Sequence, residues 1–268
     1  MTILDRDQVV AALDQAFDGV IAVADGLAPD EWDLPSPCPG WTVKDNISHV
    51  IGTEAMLLGR PTPEVVLPDD LPHVRNDIGR INEQWVESYR RRTTADVLAD
   101  LHGVVAERRA ALATMDQAAF DAESFTPAGP DTYGRFMRIR VMDIWFHEQD
   151  VRQAVGRPGH LEGAAPTTTL DEVAATLGYV VGKKAGAPAG SSVRFELTAP
   201  IARRIDVEVG DRARVVDHLA GDPTTTLTVP GDRFLRLVGG RGADPAAVAV
   251  TGDRELGDAV VDNLAFLI

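Results

Sequence analysis

Apolar residues recur three and four apart along the first part of the chain and two apart from Ser192 onward, and this change of period organises the sequence. Val9, Val10, Leu13, Phe17, Ile21 and Val23 predict a helix over residues 5–25, ending near Gly26. The stretch DLPSPCPGWTVKD then crowds Pro35, Pro37, Pro39 and Gly40 into a rigid loop. Thr42, with Asp45 three residues on, resembles a capping box in which aspartate replaces the usual Glu or Gln, so a second helix is predicted from Val43 to about Gly59. After the proline-bearing PTPEVVLPDDLP, two further helices are predicted around Ile78 to Arg92 and from Thr94 to about Met115. A looser segment follows, then a helix beginning near Thr132 and stopping at Gly156, with Pro158 just beyond. Residues 1–156 therefore read as an antiparallel helical bundle.

Residues 167–183 predict one more helix, and KKAGAPAGSS reads as a flexible turn. The strands of period two are SVRFELT, RIDVEVG, ARVVDH and TTTLTVP, followed by helical pieces at Asp232 to Val238 and Arg254 to Phe266. The expected organisation is a bundle over 1–160, a connecting helix and linker over 161–191, and a small α+β domain over 192–268, with the division near 184–191.

The helix containing RVMDIWFHEQDVRQAVGRPG carries charge on two opposite sides. At about 100° per residue, Arg140, Asp143, His147 and Asp150 form one stripe, while Arg138, Glu148, Gln149 and Arg152 gather opposite it. A bundle leaves only one face of a helix in water, so one arc is expected to point inward, where an unpaired aspartate is costly. Asp143 and His147, four apart, direct an oxygen and an imidazole nitrogen to one point, as two ligands of a metal site do. His49 on the second helix, off the Val43, Ile47, Val50 stripe, is the candidate third ligand. Two alternatives stand beside this: Arg140 as the partner of Asp143, or an Asp–His pair on a solvated face with His49 simply exposed.

Composition narrows the partners. A chain of 268 residues with 44% apolar and 25% charged positions is an ordinary globular sequence, long enough for two domains. Its net charge of −15 argues against a nucleic-acid backbone or an anionic membrane surface. The single cysteine, Cys38, precludes an internal disulfide, and no apolar run approaches the roughly 20 residues of a membrane span, so a cytoplasmic location is expected. Cys38, between two prolines and with no histidine or lysine near it in sequence, reads as a thiol packed in its loop. LVGGRGADP lacks the strand, Lys and Ser/Thr of a phosphate loop and reads as a turn. His73, His102, His160 and His218 have no carboxylate or cysteine at ligand spacing on a convincing shared face and read as surface residues.

The segments PCPGWTVKDNISHVIG and RVMDIWFHEQDVRQAVGRPG together resemble the mycothiol-dependent maleylpyruvate isomerase family, over nearly the whole chain. The resemblance implies an α+β protein: an N-terminal DinB-like four-helix bundle followed by a small C-terminal α+β domain with a sterol-carrier-like sheet and helices. It also implies a divalent metal, zinc foremost, held by His49, Asp143 and His147, with mycothiol as cosubstrate. The isomerase carries glutamate where Asp143 stands, a departure of one methylene that bears on the isomerase activity rather than on metal binding.

The expected function is then that of a metal-dependent, low-molecular-weight-thiol-dependent transferase or isomerase acting on a small electrophile. Three protein ligands leave a position for a thiol, which ionises there and adds to an electrophilic double bond. Release of the adduct is thiol transfer; rotation and elimination is cis–trans isomerisation. In this scheme Arg140 holds a substrate carboxylate and Asp150 orients a ligand from behind. The alternatives are a non-catalytic metal- or small-ligand-binding protein of the same fold, or a metal-dependent hydrolase with water in place of the thiol.

Overall fold

Asp5 starts α1 (Arg6–Asp25) by accepting a hydrogen bond from the Gln8 amide. Thr42 starts α2 (Val43–Leu57) with a complete capping box: the Asp45 amide donates to the Thr42 hydroxyl, and the Asp45 carboxylate accepts from the Thr42 amide. Aspartate thus fills the usual glutamate role, because its shorter reach still spans one turn. The structure, a computed structural model, describes residues 1–267. It continues with α3 (Asp77–Arg90), α4 (Thr94–Ala113) and the short α5 (Gln117–Asp121). A hairpin of β1 (Glu123–Thr126) and β2 (Gly129–Thr132) then leads into α6 (Tyr133–Ala154). Both α5 and the hairpin fall in the segment that lacks a clear hydrophobic period; the hairpin turns at Pro127 and Ala128, with Gly129 at φ +99°.

The chain divides into two compact units, Met1–Thr168 and Thr169–Ile268. In the first, α1 packs on α6, α6 on α2, α2 on α4 and α4 on α1, closing the helical bundle that the periodicity predicts as the four-helix form that the resemblance implies, with α3 laid against α2. Helix α6 is buried on every side: Met137, Ile139, Val141, Ile144, Trp145, Phe146 and Val151 are covered, and so are Arg140, His147, Glu148 and Asp150. Both charged arcs are largely covered, with Arg138, Asp143 and Gln149 half-buried. The arc expected outside is closed by pairing: Glu148, fully buried, accepts from Arg152 Nε at 2.6 Å and lies 2.6 Å from His160 Nδ1. His160 is therefore not a surface residue, and Trp145 Nε1 donates to its carbonyl at 2.9 Å.

The second unit holds most of α7 (Ala164–Tyr179), whose residues Leu170, Val173 and Leu177 are buried, followed by a π turn over Val180–Lys184. Its five-stranded sheet comprises β3 (Ser192–Thr198), β4 (Arg203–Val209), β5 (Ala213–Val216), β6 (Thr225–Pro230) and β7 (Ala249–Gly252), in the order β5-β4-β3-β6-β7. Only β3 and β6 run parallel, with Phe195 opposite Leu227. Helices α8 (Gly231–Val238) and α9 (Arg254–Asp262) pack on the sheet, and LVGGRGADP spans the end of α8 and the turn after it. Gly178 lets α7 approach β5, since a Cβ there would lie 2.8 Å from the Ala213 carbonyl oxygen. No helix of the described residues is long and apolar enough to cross a membrane.

Candidate metal centre

Helix α2 is buried from Val43 through Ala55 although it carries Asn46, Ser48, His49, Thr53 and Glu54. A buried helix tolerates polar side chains only when each finds a partner. Ser48 and Thr53 return their hydroxyls to the carbonyls of Lys44 and His49. The other three face the polar stripe of α6 in antiparallel order: Asn46 meets His147, His49 meets Asp143, and Glu54 meets Arg140. Two stripes, each unaffordable alone, satisfy each other across one seam.

Where the stripes meet, His49 Nε2 lies 3.1 Å from Asp143 Oδ2 and His147 Nε2 lies 3.6 Å from Asp143 Oδ1. The two imidazoles stand edge to face, their centroids 4.6 Å apart. One donor atom from each of the three residues falls within 4.8 Å of the others. Metal–ligand bonds of about 2.0–2.1 Å at tetrahedral angles place donor atoms about 3.3 Å apart; the two imidazole–carboxylate distances bracket that value, on different oxygens of Asp143. The side chains of His49 and His147 are 4% and 7% exposed and that of Asp143 is 29% exposed, so the cluster opens to solvent on the Asp143 side.

The protonation of His147 is set from behind. Asn46 Nδ2 donates to the Thr42 carbonyl and to Ser36 Oγ, both at 2.7 Å, which turns its Oδ1 toward His147 Nδ1 at 2.8 Å. Asp150 Oδ2 stands 3.3 Å from the same nitrogen. His147 therefore carries a hydrogen on Nδ1, and in the neutral ring the Nε2 lone pair faces the Asp143 carboxylate. Two acceptors face to face call for a proton or a cation between them. His49 has no such support, since its Nδ1 is buried without a partner among the described residues.

Charge is distributed unevenly over the three groups. Burial pushes the Asp143 carboxyl up, but the Arg140 guanidinium and the two imidazoles outweigh it and hold the group well below the usual carboxylate range. Burial lowers His49 more than Asp143 raises it, so that ring favours the neutral, metal-binding form. His147 shifts upward, because Asp143 and Asp150 overcome its burial. Arg140 is wholly engaged on one side, with Nε on Glu54 Oε1 at 2.8 Å and Nη1 on Asp143 Oδ2, while its buried Nη2 has no partner among the described residues.

Several contributors come from outside the stripe. Cys38, half-buried on its proline loop, brings its sulfur within 4.8 Å of a donor atom of His147 and of Asp150, a neighbourhood invisible from its local sequence. Trp41 packs its ring on both His49 and His147, at 5.1 and 5.6 Å between centroids. His73 is half-buried and pairs with Glu83 at 3.0 Å, so the surface expectation for it is also corrected. His102 is exposed and pairs with Asp25, and His218 is exposed. Asn46 carried one signal in the sequence: it lies three residues before His49, on the same face of α2.

Two family descriptions match the chain. Residues 13–152 match the mycothiol maleylpyruvate isomerase N-terminal domain, and residues 167–259 match the C-terminal domain of the same family. Two curated Mycobacterium tuberculosis proteins, from different strains and both described as uncharacterised, are 27% identical over 154 residues, which is 57% of this chain. The chain spans 58% of the length of these relatives in that match. The crystal structure of the mycothiol-dependent maleylpyruvate isomerase superposes with a TM-score of 0.61 at 18% identity, over 94% of this chain and 96% of that one. A histidine-to-alanine mutant of that isomerase gives 0.57 at 17% identity with the same coverage. These two likenesses establish a shared fold, and the two matching domain descriptions, which together cover most of the sequence, place the chain in the mycothiol maleylpyruvate isomerase family.

Proposed function

We propose that this chain is a metal-dependent enzyme that uses a low-molecular-weight thiol, mycothiol, to attack a small electrophile, with His49, Asp143 and His147 as the metal ligands. The observation that carries the reading is the convergence of two imidazole nitrogens and a carboxylate on one buried point, at spacings suited to a divalent ion such as zinc. When bound, such an ion supplies Lewis acidity and an open position that favours the ionised form of an incoming thiol.

The protein's own groups do the rest. Asn46 and Asp150 hold the Nδ1 hydrogen of His147 and so orient its ring. Arg140 keeps Asp143 ionised, and an acidic group of the substrate would take its buried, unpartnered Nη2 only by displacing the side chains that cover it. Trp41 covers the two histidines and limits water beside them. The thiolate would add to an electrophilic double bond, the C–S bond forming as the π bond opens to a carbanion, which takes back the thiol's proton if the adduct is released or expels the thiolate again after rotation. Release of the adduct makes the protein a transferase, and rotation followed by elimination makes it an isomerase.

The test is metal analysis of protein purified without chelator, alongside His147→Ala. About one equivalent in the wild type and none in the variant is expected. Equal content in the two would overturn the ligand assignment. A metal-free wild type that stays folded would instead leave Arg140 as the resident counter-ion of Asp143 and point to the non-catalytic ligand-binding reading.

A further inference from the structure

The indole of Trp41, half-buried, is tilted by 41° to the ring of His49 and by 37° to that of His147. Its N–H donates to Oε2 of Glu83 at 2.9 Å. Glu83 is fully buried on α3, and its partners converge from three directions: Trp41 from the proline loop, His73 Nε2 at 3.0 Å from the segment before α3, and Arg90 Nη2, 2.8 Å from Oε1. His73 also braces the loop that carries Trp41. Gly40 sits at φ +80°, and a Cβ there would lie 2.5 Å from His73 Nδ1, so the two segments touch backbone to ring. Arg90 extends the cluster to Asp45, the residue that closes the cap of α2.

We propose that Trp41 is the wall against which the bound thiol or electrophile packs, and that Glu83 is a positioning residue that acts on the site through Trp41. The second half stands on geometry alone, while the first rests on the thiol-dependent reading above. Ring contacts with two imidazoles leave an indole free to slide, because such contacts are weakly directional. A hydrogen bond to a carboxylate that is itself held by His73 and by the charge of Arg90 removes that freedom. Both histidines are covered, so the half-exposed indole is the apolar surface beside the cluster, and a thiol sulfur packs well against an aromatic ring. Glu83 neither touches the ligand set nor moves a proton in the reaction; it fixes the shape of the wall.

The experiment uses the full chain. Trp41 emission is isolated as the difference between the wild type and Trp41→Phe, both without added metal. In Glu83→Ala the Trp41 component is expected to shift to the red and to be quenched by acrylamide at least about threefold more strongly. On the Co²⁺-loaded chain, mycothiol affinity read from the sulfur-to-metal absorption band is expected to fall roughly tenfold, with metal content unchanged. In the Trp41→Phe background, Glu83→Ala should cost no further affinity. Unchanged quenching, or an equal loss of affinity with and without Trp41, would overturn the proposal. Should Glu83→Ala fail to fold, Glu83→Leu combined with Arg90→Leu puts the same question while removing both charges of the pair. A wild type that binds neither metal nor thiol would overturn the proposed function and the wall, whereas the quenching measurement would still decide what holds Trp41.

Discussion

Glu54 of α2 accepts a hydrogen bond from Nε of Arg140 of α6 at 2.8 Å, and neither residue reaches water. Its second oxygen takes Nε of Arg108 at 2.7 Å, so one carboxylate neutralises part of two buried guanidiniums. Removing one partner of a buried ion pair strands the other, at a cost of about 3–5 kcal/mol. Glu54→Ala is expected to lose that much or more, read as a lower urea midpoint at unchanged slope. A loss under about 1 kcal/mol would mean that water already screens the cluster.

Asn46→Ala removes the acceptor that fixes the His147 ring. Metal affinity, measured by competition with a chelator, is expected to fall about 10–100-fold. Asn46→Asp should not rescue it fully, because a carboxylate keeps the acceptor but loses the donation to the Thr42 carbonyl that aims it. Wild-type affinity in the alanine variant would show that Asp150 alone orients the ring.

Acid should reach Glu83 only late, because its neighbours favour the carboxylate. Burial pushes its carboxyl up, but hydrogen bonds from Trp41 and His73 and the charge of Arg90 bring it below its ordinary value. The native pKa therefore lies under the unfolded one of about 4.3. The stabilisation is fully present above that value and is lost as pH falls through the native pKa. The stability difference between wild type and Glu83→Gln should be constant near neutral pH and shrink below about pH 4. A difference that widened on acidification would reverse the sign assigned here.

Gly19→Ala tests the opposite arc of α6. A Cβ on Gly19 would lie 2.3 Å from Glu148 Oε2 and 2.4 Å from His160 Nδ1. Overpacking of this kind costs about 1–3 kcal/mol, more than the helix propensity gained by alanine. A lower Tm with unchanged metal content is expected, because the crowded cluster lies across the helix from the ligands. A Tm equal to that of the wild type would show that the loop carrying His160 yields.

Helix ends were readable from the sequence because their signals are local: Thr42 and Asp45, or Gly156 with Pro158, lie within a few residues of the boundary they set. The stripe Arg140, Asp143, His147, Asp150 was readable for the same reason, since helical spacing alone brings it together. What completes the site was not. Asn46 reaches His147 across 101 residues, Glu54 reaches Arg140 across 86, and Trp41 reaches Glu83 across 42. His73 and His160 looked unpartnered because their carboxylates, Glu83 and Glu148, lie across a loop rather than along a shared helix. The hairpin before α6 was not legible because its strands, ESFT and GPDT, hold a single apolar side chain besides proline and so show no alternation.

With covered side chains on every flank, the middle turns of α6 have no local route by which their amides could meet water. Hydrogen exchange there should proceed only through opening of the whole first unit, slower than in α3, which has few covered positions. Asp143 and His147 are then kept or lost together, with no partly frayed form in which one lets go before the other. An ion seated on them would leave either from the closed structure or with collapse of the bundle, so its longest possible residence is set by the lifetime of the native state.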